Sequence, residues 1–355
     1  MCPQSLRPQV LELLVLVVAV FAFHDSKIGA EDLAPSDVIE NVIWAPADSV
    51  RRDGRGGDNW PITWADDDKL YTTYGDGWGF QPKVKQKLSM GYARIIGDAN
   101  DWQGENIRSD DEELGDGRAG KKAWGILSID GTLFLWIGHA DRKGGQSQLA
   151  WSTDHAKTWT HADWKFAPFG LIGFVNFGKD YDGARDNYVY AYSHDGPRAD
   201  QPADGFVLMR ADKNRLVDRD AWEFFDRLDH DGEPVWTRNI EQRGVMLVRK
   251  DAALRSAMTY NAGLGRYLWW IQTPAPIGSN DRGDTRFQGG FAILDAPEPW
   301  GPWTVAYQTD QWDIGPGEHA DFPAKWISAD GKTLFLVFSG DDAFCVRQAT
   351  LQLRE

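Results

Sequence analysis

The sequence predicts an all-β chain folded as a five-bladed β-propeller, with its functional face at the mouth of the central channel. Three observations carry this. A short aromatic or aliphatic strand recurs along the chain, each copy following a turn rich in Asp, Asn or Gly. Helical periodicity is nearly absent, with only residues 219–228 reading as a short helix or helical turn. The chain also combines 18 Trp, 17 Phe and 37 Gly in 355 residues, which suits a rigid β scaffold and excludes a disordered chain.

The recurring strands lie at residues 70–76, 133–139, 188–194, 267–273 and 334–340. Their spacing is that of one propeller blade each, about 40–50 residues, with loop insertions. The turns before them include Asp66-Asp67-Asp68, Asp130-Gly131, Arg185-Asp186-Asn187, Gly263-Leu264-Gly265 and Asp330-Gly331. Such residues tolerate the positive φ of hairpin turns. A partner strand precedes each turn, at 60–64, 123–129, 173–177, 257–260 and 322–328. A twisted β-sandwich is the alternative architecture.

Residues 1–30 read as a secretory signal, with Arg7 ahead of an apolar run at 10–23 that is short for a membrane span. An uncut membrane anchor is the other reading. The expected organisation is a signal peptide over 1–30, cleaved near Ala30, and one propeller domain over 31–355. Loss of Cys2 with the signal leaves Cys345 as a single thiol, so export without disulfides points to a bacterial periplasm or exterior. The net charge of -15 argues against a nucleic-acid partner, which wants a basic stripe. No later run is long enough to span a bilayer, and a monomer is expected.

In a propeller, residues just before each first strand and just after each second strand share one face. Asp58, Asn59, Trp60, Lys122, Arg255 and Glu318 fall in the first class; Asp76, Trp78, His139, His194 and Asp195 fall in the second. Two carboxyl groups on such a rim suit glycoside hydrolysis, one protonated and one ionised. The catalytic candidates are Asp58 as base or nucleophile, with Glu318 or Asp195 as acid. Trp60 and Trp78 offer stacking surfaces for a sugar, and Trp124 is a further rim aromatic. Lys122 and Arg255 steer substrate, with Asn59, Asp76, His139 and His194 as further contacts. The bland alternatives are turn-capping carboxylates and histidines bridging adjacent blades. A polysaccharide lyase acting on a uronate, with Tyr260 or a His as base, and a non-catalytic glycan-binding propeller remain open.

Residues 152–159 (Ser-Thr-Asp-His-Ala-Lys-Thr-Trp) are similar to the Asp-box of sialidase-like propellers, with Ala156 where that box has Gly; such boxes are structural hairpins. The acidic runs 110–113 and 180–186 offer oxygen ligands for structural calcium, or are solvated loops. No cofactor motif and no catalytic-metal spacing appears, and Cys345 reads as a buried thiol. The strings at 57–66, 74–80, 295–303, 328–334 and 338–341 resemble the secreted bacterial family called domain of unknown function 4185, over roughly 42–353. That resemblance implies a five-bladed propeller and, for some members, endo-D-arabinanase activity. The related five-bladed glycosidases place an Asp at the first inner strand, matched by Asp58, and a second Asp mid-chain, matched by Asp195. Their Glu, the acid, has no match at the equivalent place; Glu318 comes later in the chain.

Overall fold

A computed structural model describes residues 33–115 and 120–355. The expected signal segment, residues 1–30, lies outside the described residues. Among the described residues there is no α-helix, and none of the helical turns is long and apolar enough to cross a membrane.

Antiparallel meanders succeed one another in chain order. The first comprises Ile62–Trp64, Leu70–Tyr74, Leu88–Ile96 and Gln103–Ile107. The second comprises Lys122–Ile129, Thr132–Gly138, Ser147–Ser152 and Thr160–His161. The third runs through Ile172–Asn176, Tyr188–His194, Ala203–Asp212 and Glu223–Leu228, with Pro234–Thr237 added outside. The fourth comprises Ser256–Asn261, Arg266–Thr273, Gly290–Ala296 and Thr304–Thr309. The last comprises Ala320–Asp321, Thr333–Phe338 and Phe344–Leu353, and its outer strand, Ile39–Trp44, comes from the opposite end of the chain.

The first strand of each meander lies against the first strand of the next. Between the third and fourth this becomes a parallel ladder, Val175 with Met258 and Asn176 with Thr259. Trp60 and Ile62 share a core with Trp326, Val337 and Phe344, so the last meander packs back onto the first. The result is a closed ring. Leu70–Tyr74 and Gly290–Ala296 are buried along their whole length because both faces of an inner strand meet neighbouring sheets.

Two expectations need correction. Residues 219–228 are a helical turn only at their start: Arg219–Ala221 is one 3-10 turn, but Glu223–Leu228 is a strand. Its backbone pairs with Met209 and Arg210, while Trp222 and Phe224 sink among Phe166 and Phe169. The last inner strand is Ala320–Asp321 rather than 322–328, since Pro323 has no N–H to continue a ladder and a 3-10 turn, Ala324–Trp326, comes next.

The Asp-box-like segment is a tied hairpin. Asp154 accepts the N–H groups of Lys157 (3.1 Å) and Thr158 (2.9 Å) and the hydroxyls of Ser152 (2.9 Å) and Thr158 (2.8 Å). Trp159 then stacks on Tyr92 of the first meander, 5.2 Å between centroids. The acidic runs are likewise spent on protein donors. Asp111 takes the Tyr92 hydroxyl and His161, and Asp180 takes Ser128 and the Gly131 N–H. The Cys345 thiol is buried, donates to Gly340 O and is pushed up to about 12 by burial.

Asp154→Ala should cost about 1–3 kcal/mol in urea melts, the cost of orphaning several donors at one turn. A second stability effect concerns Asp321, which sits in the ring and accepts from Thr259 Oγ1 (2.8 Å) on the adjacent inner strand and from Phe322 N (2.7 Å). Burial raises its carboxyl from 3.8 to about 7. A raised acid stabilises the fold most below its unfolded value, and that contribution is lost as pH rises through the folded one. Asp321→Asn should therefore match wild type near pH 4 and exceed it at pH 8 by on the order of 1–4 kcal/mol, read from paired denaturant melts.

Candidate active site

One cleft of about 200 Å³ opens at the ring's mouth, lined by Asp58, Asn59, Asp76, Lys122, Trp124, His139, Arg255 and Glu318, with Ala199, Asp200, Asp281, Asp284 and Arg286 from two loops. The site begins where the first inner strand begins. Asp58 and Gly75 exchange backbone hydrogen bonds (2.9 and 2.7 Å), which sets Asp58 beside Asp76. A Cβ at Gly75 would stand 2.6 Å from Asp58 Oδ1, so a larger residue there would push the Asp58 carboxyl aside. Asn59, Asp76 and His139 all hold positive φ, at 58°, 42° and 53°. Asn, Asp and His bear the left-handed region more readily than other side chains, and clustered backbone strain of this kind accompanies functional sites.

Glu318 reaches the cleft from the last meander. Ser339 Oγ accepts the N–H of Glu318 (2.8 Å) and of His319 (3.0 Å), fixing that turn. Arg255 immediately precedes the first strand of the fourth meander, its Nη2 3.4 Å from Glu318 Oε2. Its other arm donates to Gly283 O, and its guanidinium lies over the Trp124 ring at 5.6 Å. Lys122 is paired with Asp76.

Burial dominates the electrostatics. It lifts the Asp58 carboxyl to about 7, helped by the neighbouring Glu318 charge and opposed by Lys122. Burial also raises Glu318, but Arg255 and Arg286 pull it back. Two buried carboxyls that feel one another do not both ionise readily. The guanidinium contact favours the anion on Glu318, so of the two Asp58 is the carboxyl that keeps its proton more readily. His139 is lowered by burial and by Lys122, and its Nδ1 lies 3.0 Å from Gly120 O; that contact to a carbonyl identifies Nδ1 as the protonated nitrogen.

The structure thus brings together Asp58, Asn59, Asp76, Lys122, His139, Arg255 and Glu318. It does not bring Asp195, His194, Trp60 or Trp78 to the cleft. Asp195 is held by Arg243 (2.8 Å). His194 is fully buried, lowered to about 4 and therefore neutral, and donates from Nε2 to Arg198 O (2.9 Å). Trp60 is a core wedge between Tyr74, Phe80 and Phe344, at 5.3–5.5 Å. Trp78 lies beneath the ammonium groups of Lys83 and Lys87. Tyr260 packs on Phe177 and Tyr267 away from the cleft. Asn59 spends its amide on Ala123 O, stitching the first meander to the second.

Sequence reasoning missed Asp200, Asp281, Asp284 and Arg286. They arrive on the loops after the second strands of the third and fourth meanders, where no periodicity marks a position. The positional rule that found Asp76 and His139 would have flagged them had it been extended along each loop. Arg286 is bidentate to Asp284 (2.8 and 2.6 Å) and reaches Asp342 (3.2 Å). That holds Asp284 below its ordinary value.

No family model matches the chain, and no curated protein matches it. Its shape is similar to several solved structures. One is a GH43_1 enzyme from Xanthomonas citri, 13% identical over 88% of this chain and 93% of that one, at a TM-score of 0.47. Another is a glycosyl hydrolase from Bacteroides ovatus, 12% identical over 90% and 96%, also at 0.47. A third is the catalytic domain of the Coprinopsis cinerea GH62 alpha-L-arabinofuranosidase, 11% identical over 90% and 98%, at 0.46.

Proposed function

We propose that this chain is a secreted glycoside hydrolase on a five-bladed propeller, each meander being one blade, and that Asp58 and Glu318 are its paired carboxyl groups. The observation that carries the reading is the pair itself. Two raised carboxyls share one cleft; Arg255 is in ion-pair contact with Glu318, while the cations that lower Asp58 act on it without such a contact. Hydrolysis of a glycosidic bond needs that asymmetry, a proton donor and an anion on the same site.

In this mechanism Asp58 gives its proton to the departing glycosidic oxygen as the bond to the anomeric carbon breaks. Glu318, kept ionised by Arg255, takes the proton of the attacking water or attacks the anomeric carbon itself. Neither step calls on a resident metal or cofactor. The sequence pattern suggested the opposite division, with Asp58 as base; its surroundings favour the acid's part. Trp124 replaces Trp60 and Trp78 as the aromatic surface available to a sugar ring. The uronate lyase reading loses support, because Tyr260 packs on Phe177 and Tyr267 away from the cleft and Lys122, Arg255 and Arg286 are each engaged by a carboxylate. A monomer acting on a polysaccharide or oligosaccharide outside the cell fits the apolar segment at residues 10–23.

The test is a panel of plant, algal and bacterial polysaccharides, scored for new reducing ends and for ultraviolet-absorbing unsaturated products. Reducing ends without unsaturation are expected, and Asp58→Asn or Glu318→Gln should each lower kcat about 10²–10⁴-fold. Wild-type rates in both variants sink the assignment. Activity should fall as pH rises through about 7, where Asp58 loses its proton. Lys122→Met removes a cation that lowers Asp58 and frees the Asp76 charge beside it, so the alkaline limb of the pH–rate profile should move to higher pH.

A further inference from the structure

The cleft does not end at the carboxyl pair. A second cavity of about 180 Å³ adjoins it, lined by Asp200, Gln201, Pro202, Ser279, Asn280, Asp281 and Arg282. Asp200 and Asp281 line both cavities. The two walls come from different meanders: one is the loop after Tyr188–His194, the other the loop after Arg266–Thr273.

Both walls are tied down. In the first, His194 holds Arg198 O, Arg198 is bidentate to Asp200 (3.0 and 3.0 Å) and also donates to Lys143 O (2.8 Å), and Ala199 N bonds Gly144 O. In the second, Arg282 pairs with Asp251 (2.7 Å) and donates to Ala275 O, while Gln272 and Arg255 both donate to Gly283 O. A preformed recess continuous with a reactive cleft is what a polymer chain needs and a single small molecule does not.

Its chemistry is specific. Gln201, Ser279 and Asn280 offer both donors and acceptors, which match sugar hydroxyls, and proline gives one flat apolar wall. At the shared boundary Asp200 is offset by Arg198, the adjacent Asp284 by Arg286 and the Arg282 guanidinium by Asp251, which leaves the Asp281 carboxylate, bonded to the Gly283 N–H, as the anion facing both cavities. Resting on the hydrolase reading, we infer that this cavity is a further sugar subsite, so the protein binds oligomers rather than single terminal sugars and disfavours chains bearing carboxylates at that unit.

The experiment uses the full chain carrying Glu318→Gln on an array of neutral and uronate-containing oligosaccharides of one to six units. The expected result is affinity that rises with length for neutral glycans and less so for uronate-bearing ones. Adding Asn280→Trp, which fills the recess, should cut the ratio of hexamer to dimer affinity about tenfold. The milder pair Gln201→Ala and Asn280→Ala should cut it in the same direction, and Asp281→Asn should narrow the gap between neutral and uronate chains. An unchanged length ratio in both recess variants overturns the subsite, as does a preference for uronate oligomers in the parent. Binding to none of the glycans, together with no hydrolysis by the wild type, overturns the hydrolase reading itself.

Discussion

Everything at the cleft depends on the ring being shut. The last meander supplies only three strands of its own, and the strand that completes it, Ile39–Trp44, comes from the other end of the described chain. Ladder hydrogen bonds from Asn41 through Trp44 to Ala349–Gln352 make that union, and Arg347 locks it from the side. Its Nε donates to Ala45 O (2.8 Å), both Nη atoms grip Asp313, and the guanidinium lies over Trp312 at 4.7 Å. Without this closure the last sheet would present a bare edge. The core joining it to the first meander, Trp60 against Phe344, would have no fixed partner. Asp58 stands at the start of one side of that seam and Glu318 at the start of the other. The closure therefore sets the position of each carboxyl relative to its partner.

The rim carries a cost that the ring absorbs. Asn59, Asp76, His139, Asp341 and Asp342 all sit at positive φ near the mouth. Each such residue costs on the order of 1–3 kcal/mol, and local hydrogen bonds do not offset that. The offset comes from burial beneath them: Leu70–Tyr74, Lys122–Ile129 and Thr333–Phe338 are almost wholly enclosed. Strain at the ends of rigid strands turns side chains toward the channel instead of along the sheet. A flatter rim would leave Asp58 in solvent, where burial would not raise its carboxyl.

Much of the scaffold was legible because strands announce themselves locally. All the recurring second strands lie where the alternation of aromatic and aliphatic residues places them, and Asp130-Gly131 adopts the positive φ pair expected of a hairpin. The short segment 219–228 was misread because Trp222, Phe224 and Phe225 crowd together, and crowding looks helical when the partner strand is out of view. The cleft was legible only where a strand end pointed to it, as for Asp58, Lys122, Arg255 and Glu318. Trp60 shows the limit. It lies two residues from Asp58, a spacing that strand alternation would put on the same face, yet Asn59 between them turns at positive φ (58°) and Trp60 enters the core. His194 has the same history: it ends a second strand much as His139 does, but Arg198 O captures it. Loop residues such as Arg286 carry no period, so their arrival depends on tertiary anchors like Asp284 and Asp342.

The two carboxyls differ in the cations set against them, and the guanidinium nearest Glu318 is placed by a loop. Burial acts on Asp58 and Glu318 alike and so cannot assign their parts. Lys122 is engaged by Asp76, which blunts its pull on Asp58. Arg255 is the asymmetric element, 3.4 Å from Glu318, and it is held there by Gly283 O from the loop after Arg266–Thr273. Gln272 holds the same carbonyl (3.0 Å) and Thr285 Oγ1 (2.8 Å), so the loop, the arginine and the strand end form one unit. That loop also walls the second cavity through Asn280 and Asp281. A glycan pressing on it therefore bears on the group that keeps Glu318 ionised. Recognition of chain length and the state of the reacting pair share a single mechanical support.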